Sequence, residues 1–250
     1  MAKENSVAVV TGGARGIGRA CALTLADHGF DVALVDLLVP EMGRTAGEIR
    51  ARGRKAQTFE GDVSNYNRAH EIVDEVMKSW GKIDFLLNNA GQPMAKGLLE
   101  ITEQEWDRTI DVNLKSCFNW CRAVAPVMLE RGGGRIVSIS SLNAHSGGVT
   151  SAVSKFAYAA AKAGILGLTR ALAKELGPTI AINAICPGVI ETEIWTNLLG
   201  TRGPELKKGI ALGRLGQPQD VANLVAFLAT SEPCFITGQN FIVDGFQWVM

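Results

Sequence analysis

The stretch that decides the fold is "SVAVVTGGARGIG", residues 6–18. A short apolar run passes directly into a loop that contains Gly12, Gly16 and Gly18, and the loop opens an amphipathic stretch. Such a run predicts a strand that is covered on both faces, and the glycines allow a tight turn into the following helix. The N–H groups that begin this helix can bind a phosphate group. The spacing G-x3-G-x-G therefore predicts a dinucleotide-binding turn, and an ordinary glycine-rich turn between a strand and a helix is the alternative.

The same order of strand and helix continues along the whole chain. Apolar runs that predict strands occupy 6–11, 31–36, 55–62, 83–89, 135–141, 180–186 and 240–245. Stretches with helical periodicity occupy about 17–28, 41–52, 66–79, 103–130, 155–176 and 218–229. This alternation predicts an α/β fold, a doubly wound parallel seven-stranded sheet with helices on both faces. We interpret residues 1–250 as a single domain, and ligands of such sheets bind at the carboxyl ends of the strands.

The composition limits the classes of partner. The chain has 250 residues, 47% of them hydrophobic, and its formal net charge is zero. The absence of a strong basic field argues against nucleic acid or an anionic membrane as the main partner. We expect a cytoplasmic protein, because the N-terminal residues are too polar for a signal peptide and no apolar run reaches 18 residues. The five cysteines show neither the spacing of disulfides nor that of zinc ligands, so we expect the protein to bind no metal. Cys117 and Cys121 are four residues apart, and we interpret them as core thiols rather than as two residues that hold one ligand together.

Asp36 follows the second predicted strand and bears on the choice of cofactor. It lies 24 residues after Gly12, where a carboxylate accepts hydrogen bonds from the adenosine ribose and repels a 2′-phosphate. The residues after Asp36 are apolar and include no arginine. This pattern favours NAD over NADP, whereas Arg15 in the glycine loop is the one signal for NADP. Asp36 as a residue that simply starts a turn is the alternative.

Two further strand ends carry polar residues. The third strand ends in "GDVS", where Asp62 can accept from the adenine amino group and Val63 can flank the ring; Asp62 or Ser64 as the N-cap of the next helix is equally compatible. The fourth strand ends in "NNAG", residues 88–91. Its amides and small residues suit a backbone wall close to a ligand, or hydrogen bonds that tie neighbouring loops together, and both roles are compatible.

The stretch "FAYAAAK", residues 156–162, predicts the reacting centre. Tyr158 and Lys162 are four residues apart on an alanine-rich helix and therefore share one face. A cation about 5 Å from a phenol favours the phenolate, which can exchange a proton with a substrate oxygen near neutral pH. Ser140 and Ser141 end the fifth strand, and only one of these hydroxyls should face the site because side chains alternate. Asn113 lies within a predicted helix, where asparagine is unfavourable, so it is a candidate for holding a water molecule; a solvent-facing position is the alternative.

Taken together, these motifs resemble those of the short-chain dehydrogenase/reductase family over the whole length of the chain. The matching stretches are "TGGARGIG" (11–18), Asp36, "DV" (62–63), "NNAG" (88–91), Asn113, "SISS" (138–141), "YAAAK" (158–162), "PGVIET" (187–192) and "ITGQNFIVDG" (236–245). The resemblance implies the Rossmann fold and hydride transfer between a nicotinamide cofactor and a substrate. The cofactor-binding residues that it implies are Gly12, Arg15, Gly16, Ile17, Gly18, Asp36, Asp62, Val63, Asn89, Ala90, Gly91, Tyr158, Lys162, Pro187, Gly188, Val189 and Thr192.

The resemblance also implies catalytic roles. Tyr158 acts as the acid–base, and Lys162 stabilises its phenolate and holds the nicotinamide ribose. Ser141 rather than Ser140 positions the substrate oxygen, because it aligns with the end of the family's serine pattern. Asn113 holds a water molecule that links Lys162 to a proton relay. Residues about 191–212, which include Trp195, resemble the family's substrate lid.

One loop departs from the family pattern. Sixteen residues, "LNAHSGGVTSAVSKFA", separate Ser141 from Tyr158, a few more than is usual. Because this loop borders the substrate pocket, Asn143 and His145 are candidate substrate contacts, with an ordinary solvated histidine as the alternative for His145.

Several functions stay open within the resemblance. The first is an NAD-linked dehydrogenase acting on a small molecule, a polyol, a sugar or a hydroxyacyl compound. The alternative is a 3-oxoacyl-[acyl-carrier-protein] reductase, which usually draws on NADPH and tends to present a basic residue near 177–180, where this chain has none. A catalytically silent NAD-binding sensor or scaffold belongs to a third class, but Tyr158 and Lys162 are both present. The family is usually tetrameric, and we expect the predicted helices 103–130 and 155–176 to pair in a homotetramer.

Overall fold

Seven parallel strands form a single twisted sheet in the computed structural model, which describes residues 5–148, 153–193 and 205–247. The strands are β1 (Val7–Thr11), β2 (Asp31–Asp36), β3 (Ala56–Glu60), β4 (Phe85–Asn88), β5 (Gly134–Ile139), β6 (Ile180–Pro187) and β7 (Asn240–Val243). Their order across the sheet is β3-β2-β1-β4-β5-β6-β7, and every neighbouring pair is parallel. The predicted doubly wound parallel sheet is therefore confirmed.

The helices connect successive strands. They are α1 (Gly16–Asp27), α2 (Val39–Ala51), α3 (Tyr66–Trp80), α4 (Glu103–Ile110), α5 (Ser116–Glu130), α6 (Asn143–Ser146), α7 (Phe156–Leu176) and α8 (Pro218–Thr230). The predicted helix over 103–130 is divided, because a π-helical turn at Asp111–Lys115 joins α4 to α5. The short helix α6 has no counterpart among the predicted elements. Local signals account for two of the helix starts: Thr102 and Glu105 form a capping box at α4, and the Asn65 side chain caps α3.

Each face of the sheet carries its own apolar layer. Alternate residues of a strand point to opposite faces, so Val10 packs under α1, α2 and α8, whereas Val9 packs under α3, α5 and α7. Nearly all residues of β1, β2, β4 and β6 are buried, whereas β3 and β7, at the edges of the sheet, are more exposed. This two-sided burial explains why the strand sequences are continuously apolar rather than alternating.

The strand order reverses between β1 and β4. From β1 the chain moves outward to β2 and β3, and then returns to place β4 on the other side of β1. Loops from both halves therefore separate at the carboxyl ends of β1 and β4, which leaves a crevice there. This topology places the glycine loop after β1 opposite the loop at 89–91 after β4.

Some predictions fall outside the described residues. Trp195 and half of the predicted lid lie in 194–204, so the lid stays a prediction, as does the single-domain interpretation. Within residues 5–148, 153–193 and 205–247, no helix is both long and apolar enough to cross a membrane. The same described residues contain no group of three or more histidine, cysteine, aspartate or glutamate side chains arranged to hold a metal ion.

Candidate active site

A cleft of about 450 Å³ opens at the carboxyl ends of the strands. It brings together most of the cofactor-binding and catalytic residues predicted from the sequence. These lining residues are Gly12, Arg15, Gly16, Ile17, Asp36, Asp62, Val63, Asn89, Ala90, Gly91, Ser141, Tyr158, Lys162, Pro187, Gly188 and Thr192. Val189 lines a smaller cavity of about 90 Å³ instead, and Asn113 lies behind the cleft wall.

The glycine loop has the geometry of a phosphate cradle. Gly12 and Gly16 adopt φ angles of +66° and +56°, which other residues rarely adopt. A Cβ atom on Gly18 would lie 2.0 Å from the carbonyl oxygen of Gly12, so only glycine allows α1 to approach the loop this closely. Arg15, the N-cap residue of α1, makes no capping hydrogen bond with its side chain, and the first turn carries no acidic residue. The first N–H groups of α1 therefore suit an anionic group such as a pyrophosphate.

Asp36 is fixed to the glycine loop by backbone donors. Its Oδ2 accepts a hydrogen bond from the Ala14 N–H at 3.0 Å, and its Oδ1 accepts from the N–H groups of Leu37 and Leu38 at 2.8 and 3.1 Å. A carboxylate has about four acceptor positions, so about one remains, on Oδ2. The side chain is thus oriented along the cleft with one position left for a ligand hydroxyl.

Asp62 forms a compact cluster with two other side chains. Its Oδ1 accepts from the N–H and the hydroxyl of Ser64 at 2.9 and 2.7 Å, and its Oδ2 lies 2.9 Å from Nη2 of Arg108. Neither Asp62 nor Ser64 caps α3, because that role belongs to Asn65. Arg108 also lines the cleft, and no local sequence pattern indicates it because it lies 46 residues beyond Asp62.

The loop after β4 is tied to the end of β1. The amide of Asn89 donates to the carbonyl oxygens of Thr11 and Gly12 at 3.0 and 3.1 Å. The Thr11 hydroxyl accepts from the N–H groups of Asn89 and Ala90 at 3.0 and 3.2 Å. These bonds hold the two loops together across the switch point, and Asn89, Ala90 and Gly91 form one wall of the cleft.

Asn113 lies in the π-helical turn and is fully buried. Its Oδ1 accepts from the Gln92 N–H at 3.1 Å, and its Nδ2 donates to the carbonyl oxygens of Gln92 and Thr109 at 2.9 and 3.0 Å. The solvent-facing alternative for Asn113 is therefore wrong. A Cβ atom on Gly91 would lie 2.9 Å from Asn113 Oδ1 and 3.4 Å from Lys162 Nζ, which places the amide beside the lysine. π-Helical turns of this kind occur frequently at functional sites.

Tyr158 and Lys162 share one face of α7. The Lys162 ammonium lies 5.6 Å from the centroid of the Tyr158 ring. Lys162 is only 3% exposed, and its Nζ donates to the carbonyl oxygen of Ile139 at 2.9 Å. This bond uses one of its three N–H donors and fixes a buried cation at the end of β5, next to the phenol.

The two serines after β5 have different surroundings. The Ser140 hydroxyl is buried and donates to the Lys162 carbonyl oxygen at 2.7 Å, so it braces β5 against α7. The Ser141 Oγ accepts from the Asn143 N–H at 3.2 Å, which leaves its own proton free to bond elsewhere. Both residues line the cleft, but the Ser141 hydroxyl is the one that retains a donor.

The stretch after β6 closes the other side of the cleft. The Gln247 Oε1 accepts from the Val189 N–H at 3.2 Å, and a Cβ atom on Gly188 would lie 2.7 Å from the Asp244 Cβ. Thr192 lies opposite the glycine loop, since its Cγ2 would be 3.4 Å from a Cβ atom on Gly16.

Comparisons with known proteins agree with this geometry. A family model described as enoyl-(acyl carrier protein) reductase matches residues 12–245. The chain is 39% identical over 246 residues to the (2S)-[(R)-hydroxy(phenyl)methyl]succinyl-CoA dehydrogenase subunit BbsD of Thauera aromatica, which covers 98% of this chain and 97% of the relative. It is 36% identical over 246 residues to the 3-oxoacyl-[acyl-carrier-protein] reductase FabG of Thermotoga maritima, with 98% of each chain covered. Among solved structures, a short-chain glucose/ribitol dehydrogenase from Brucella melitensis superposes with a TM-score of 0.91 at 34% identity, covering 99% of this chain and 98% of that chain.

The chain belongs to the short-chain dehydrogenase/reductase family. The predicted membership and the Rossmann-type fold are thus confirmed, and the protein is an oxidoreductase of this family. The family implies a nicotinamide cofactor, and the glycine cradle with its uncapped helix fits the pyrophosphate of such a cofactor.

The loop in which this short-chain dehydrogenase departs from its family is described at 142–148 and 153–157. The Asn143 amide donates to the Ser154 carbonyl oxygen at 3.2 Å, and His145 Nε2 lies 3.4 Å from the Asn240 amide nitrogen. Neither Asn143 nor His145 is among the residues that line the cleft, whereas Ser154 is. Their role as substrate contacts stays a prediction, while Ser154 is a lining residue that the sequence did not indicate.

The two core cysteines on α5 have thiols of low reactivity. Cys117 and Cys121 are buried beside the sheet, and burial raises the pKa of both thiols, that of Cys121 to about 12. Thiols with such pKa values stay protonated and unreactive near neutral pH.

Proposed function

We propose that this protein is an NAD-dependent dehydrogenase that interconverts a secondary alcohol and its ketone, with Tyr158 as the acid–base. The observation that carries the proposal is the shared cleft: Tyr158, Lys162 and Ser141 lie in the same crevice as the phosphate-binding glycine loop. A proton-transfer group and a dinucleotide cradle in one crevice are what hydride transfer requires.

Different residues of the cleft would hold different parts of the cofactor. The glycine loop would hold the pyrophosphate, Asp36 the adenosine ribose, and Asp62 with Val63 the adenine. Ala90, Gly91, Pro187, Gly188 and Thr192 would surround the nicotinamide half, with Lys162 on its ribose. When bound, the nicotinamide supplies the hydride chemistry.

The remaining steps belong to this chain's own side chains. Ser141 donates a hydrogen bond to the substrate oxygen and orients it toward Tyr158. In the oxidative direction the Tyr158 phenolate accepts the hydroxyl proton, and in the reductive direction the phenol returns it. The buried Lys162 ammonium stabilises the phenolate electrostatically, because few water molecules screen it there. Asn113 lies beside Lys162, where a water molecule that it holds would carry the proton toward solvent.

Two features of the cleft bear on NAD against NADP. The Asp36 carboxylate is held by three backbone N–H groups and keeps about one acceptor position for a ribose hydroxyl. A 2′-phosphate beside this anion would be repelled, which favours NAD. Arg15 is exposed in the glycine loop, directly after Ala14, whose N–H donates to Asp36, and its cation would attract the phosphate.

Hydroxyacyl thioesters and polyols are the two substrate classes to be separated. The BbsD and FabG relatives are named for acyl groups carried on coenzyme A or on a carrier protein, which favours a hydroxyacyl thioester. The Brucella structure is named for glucose and ribitol, which favours a sugar or polyol. A reductase acting on carrier-protein thioesters in fatty-acid synthesis is the second candidate, supported by several FabG relatives.

The deciding experiment is a turnover screen of the wild-type protein with NAD and NADP. The screen covers 3-hydroxyacyl-CoA thioesters, polyols, aldoses and simple secondary alcohols. The Tyr158→Phe variant, assayed under the same conditions, is the negative control. We expect NAD reduction with one of these classes and none above background with the Phe variant. Equal rates in the wild type and the Phe variant would overturn the proposal, and NADH binding without turnover of any class would indicate a sensor or scaffold.

We also propose a homotetramer in the cytoplasm, as in the family. Light scattering coupled to size-exclusion chromatography tests it, and a monomer at micromolar concentration would contradict it.

A further inference from the structure

Arg108 joins Asp62 and Ser64 in a closed ring of polar side chains. Its Nη2 lies 2.9 Å from Asp62 Oδ2, and its Nη1 donates to the Ser64 hydroxyl oxygen at 2.8 Å. The Ser64 hydroxyl in turn donates to Asp62 Oδ1 at 2.7 Å. The planar guanidinium therefore contacts two of these oxygens at once, Asp62 Oδ2 and Ser64 Oγ, and Ser64 closes the ring by its bond to Asp62 Oδ1.

The backbone under this ring is held from the protein interior. The Asn119 amide, fully buried on α5, donates to the carbonyl oxygens of Val63 and Ser64 at 3.2 and 3.1 Å. The main chain at 62–64 is thus held through α5, whereas the Asp62 side chain is held through Arg108 on α4.

The hydrogen bonds leave the Asp62 carboxylate with one unused acceptor position. Its Oδ1 already accepts two hydrogen bonds from Ser64, and its Oδ2 accepts one from Arg108. Because each carboxylate oxygen accepts about two, a single acceptor position remains, on Oδ2. Without the guanidinium, only Ser64 would hold the carboxylate, through Oδ1, and both acceptor positions of Oδ2 would be open to water.

Stability does not explain this ion pair. The side chains of Arg108 and Asp62 are 45% and 36% exposed, and ion pairs at that exposure contribute little to folding. Both residues line the cleft. Partial burial by itself would raise the pKa of Asp62, but the bonds from Ser64 and Arg108 outweigh it and lower that pKa, so the carboxylate stays a charged acceptor.

We propose that Arg108 is a positioning residue that aims the one open acceptor of Asp62 at the exocyclic amino group of the cofactor's adenine. The inference rests on the proposed function, since it needs an adenine dinucleotide in the cleft. It makes Arg108 responsible for selecting adenine over a purine that lacks this amino group.

The test compares the dissociation constants of NADH and reduced nicotinamide hypoxanthine dinucleotide, which carries a carbonyl where adenine carries the amino group. Isothermal titration calorimetry is run on the wild type, Arg108→Met, Arg108→Lys and the control Arg122→Met, an exposed arginine on α5. A hydrogen bond to a charged acceptor changes an affinity by about tenfold or more. We expect the wild type and R122M to prefer NADH about tenfold.

In R108M the preference should fall below about threefold, because NADH binds more weakly while the affinity for the hypoxanthine dinucleotide changes less than about twofold. R108K keeps a cation but not the fork, so its preference should lie between those of R108M and the wild type, and it replaces R108M in the comparison if the Met variant does not fold. A preference near tenfold in R108M, or an equal loss for both dinucleotides, would overturn the inference. A wild type that binds both equally would overturn it while the proposed function stands, and a wild type that binds neither would overturn both.

Discussion

The hydrogen bonds of the buried Asn113 amide allow the loss of folding stability in an alanine variant to be predicted. Substitution by alanine removes three hydrogen bonds, two to the backbone of Gln92 and one to the Thr109 carbonyl oxygen. A protein hydrogen bond contributes about 1 kcal/mol net, so the three bonds together correspond to about 3 kcal/mol. Gln92 is exposed, so water can replace part of its two bonds and lower the loss to about 2 kcal/mol. We therefore expect N113A to lower the free energy of unfolding by about 2–3 kcal/mol.

Urea denaturation at a single protein concentration measures this change, and thermal melting provides an independent check. For a chain of this length, about 1 kcal/mol corresponds to about 2–4 °C, so the melting temperature should fall by about 5–10 °C. Asn67→Ala, an exposed asparagine on α3, is the matched control and should stay within about 0.5 kcal/mol of the wild type. A loss below about 0.5 kcal/mol in N113A would show that the amide does not support the turn.

Asn113→Asp separates hydrogen bonding from shape. The aspartate keeps the acceptor toward the Gln92 N–H but places an oxygen against the carbonyl oxygens of Gln92 and Thr109. We expect N113D to be at least as unstable as N113A, because two acceptors then face each other in a buried site. Stability near that of the wild type would mean that the three bonds are assigned wrongly.

Further predictions concern chemistry, cofactor choice, packing and pH. Tyr158→Phe should lower turnover by about 10²–10⁴-fold while calorimetry shows an NADH affinity within about twofold of the wild type; turnover close to the wild type would contradict the acid–base role. Asp36→Ala should raise the ratio of kcat/KM for NADP to that for NAD by about tenfold or more, and an unchanged ratio would mean that Asp36 does not select the cofactor. Gly18→Ala should abolish NADH binding because its methyl group would lie 2.0 Å from a loop carbonyl oxygen, whereas Gly43→Ala, which meets no atom within 4 Å, should bind normally. Burial raises the pKa of Cys121 to about 12, so the free energy of unfolding should fall as the pH rises from about 9 toward 12, by up to about 1.4 kcal/mol per pH unit for this thiol. Urea melts at pH 8 and pH 10 measure the slope, which should be shallower in Cys121→Ala.

Much of the fold was predictable from local patterns. The strand and helix boundaries depend on apolar runs and helical periodicity. Helices α1, α2, α3, α7 and α8 begin and end within about two residues of their predicted bounds, and the start of α4 and the end of α5 match the bounds of the single helix predicted over 103–130. The glycine loop and the spacing of Tyr158 and Lys162 are also local, since a turn or one helical face determines both. Ser140 and Ser141 show what local patterns cannot predict. The alternation of side chains along a strand predicts that one of the two hydroxyls faces the site. The hydrogen bond from the Ser140 hydroxyl to the Lys162 carbonyl oxygen, which only the structure shows, identifies the hydroxyl that is bound to the backbone.

The sequence by itself determined the order of elements, the glycine loop, the helical face that Tyr158 and Lys162 share, and the family. Each depends on residues that are close in the chain, where periodicity and backbone geometry act directly. The tertiary structure decided the π-helical turn at Asn113, the pairing of Arg108 with Asp62 and the direction of Asn143 toward Ser154. Arg108 meets Asp62 across 46 residues of the chain, Asn113 meets Gln92 across 21, and Asn143 meets Ser154 across 11. No local propensity encodes which of these partners a side chain meets once two packed layers have formed around the sheet.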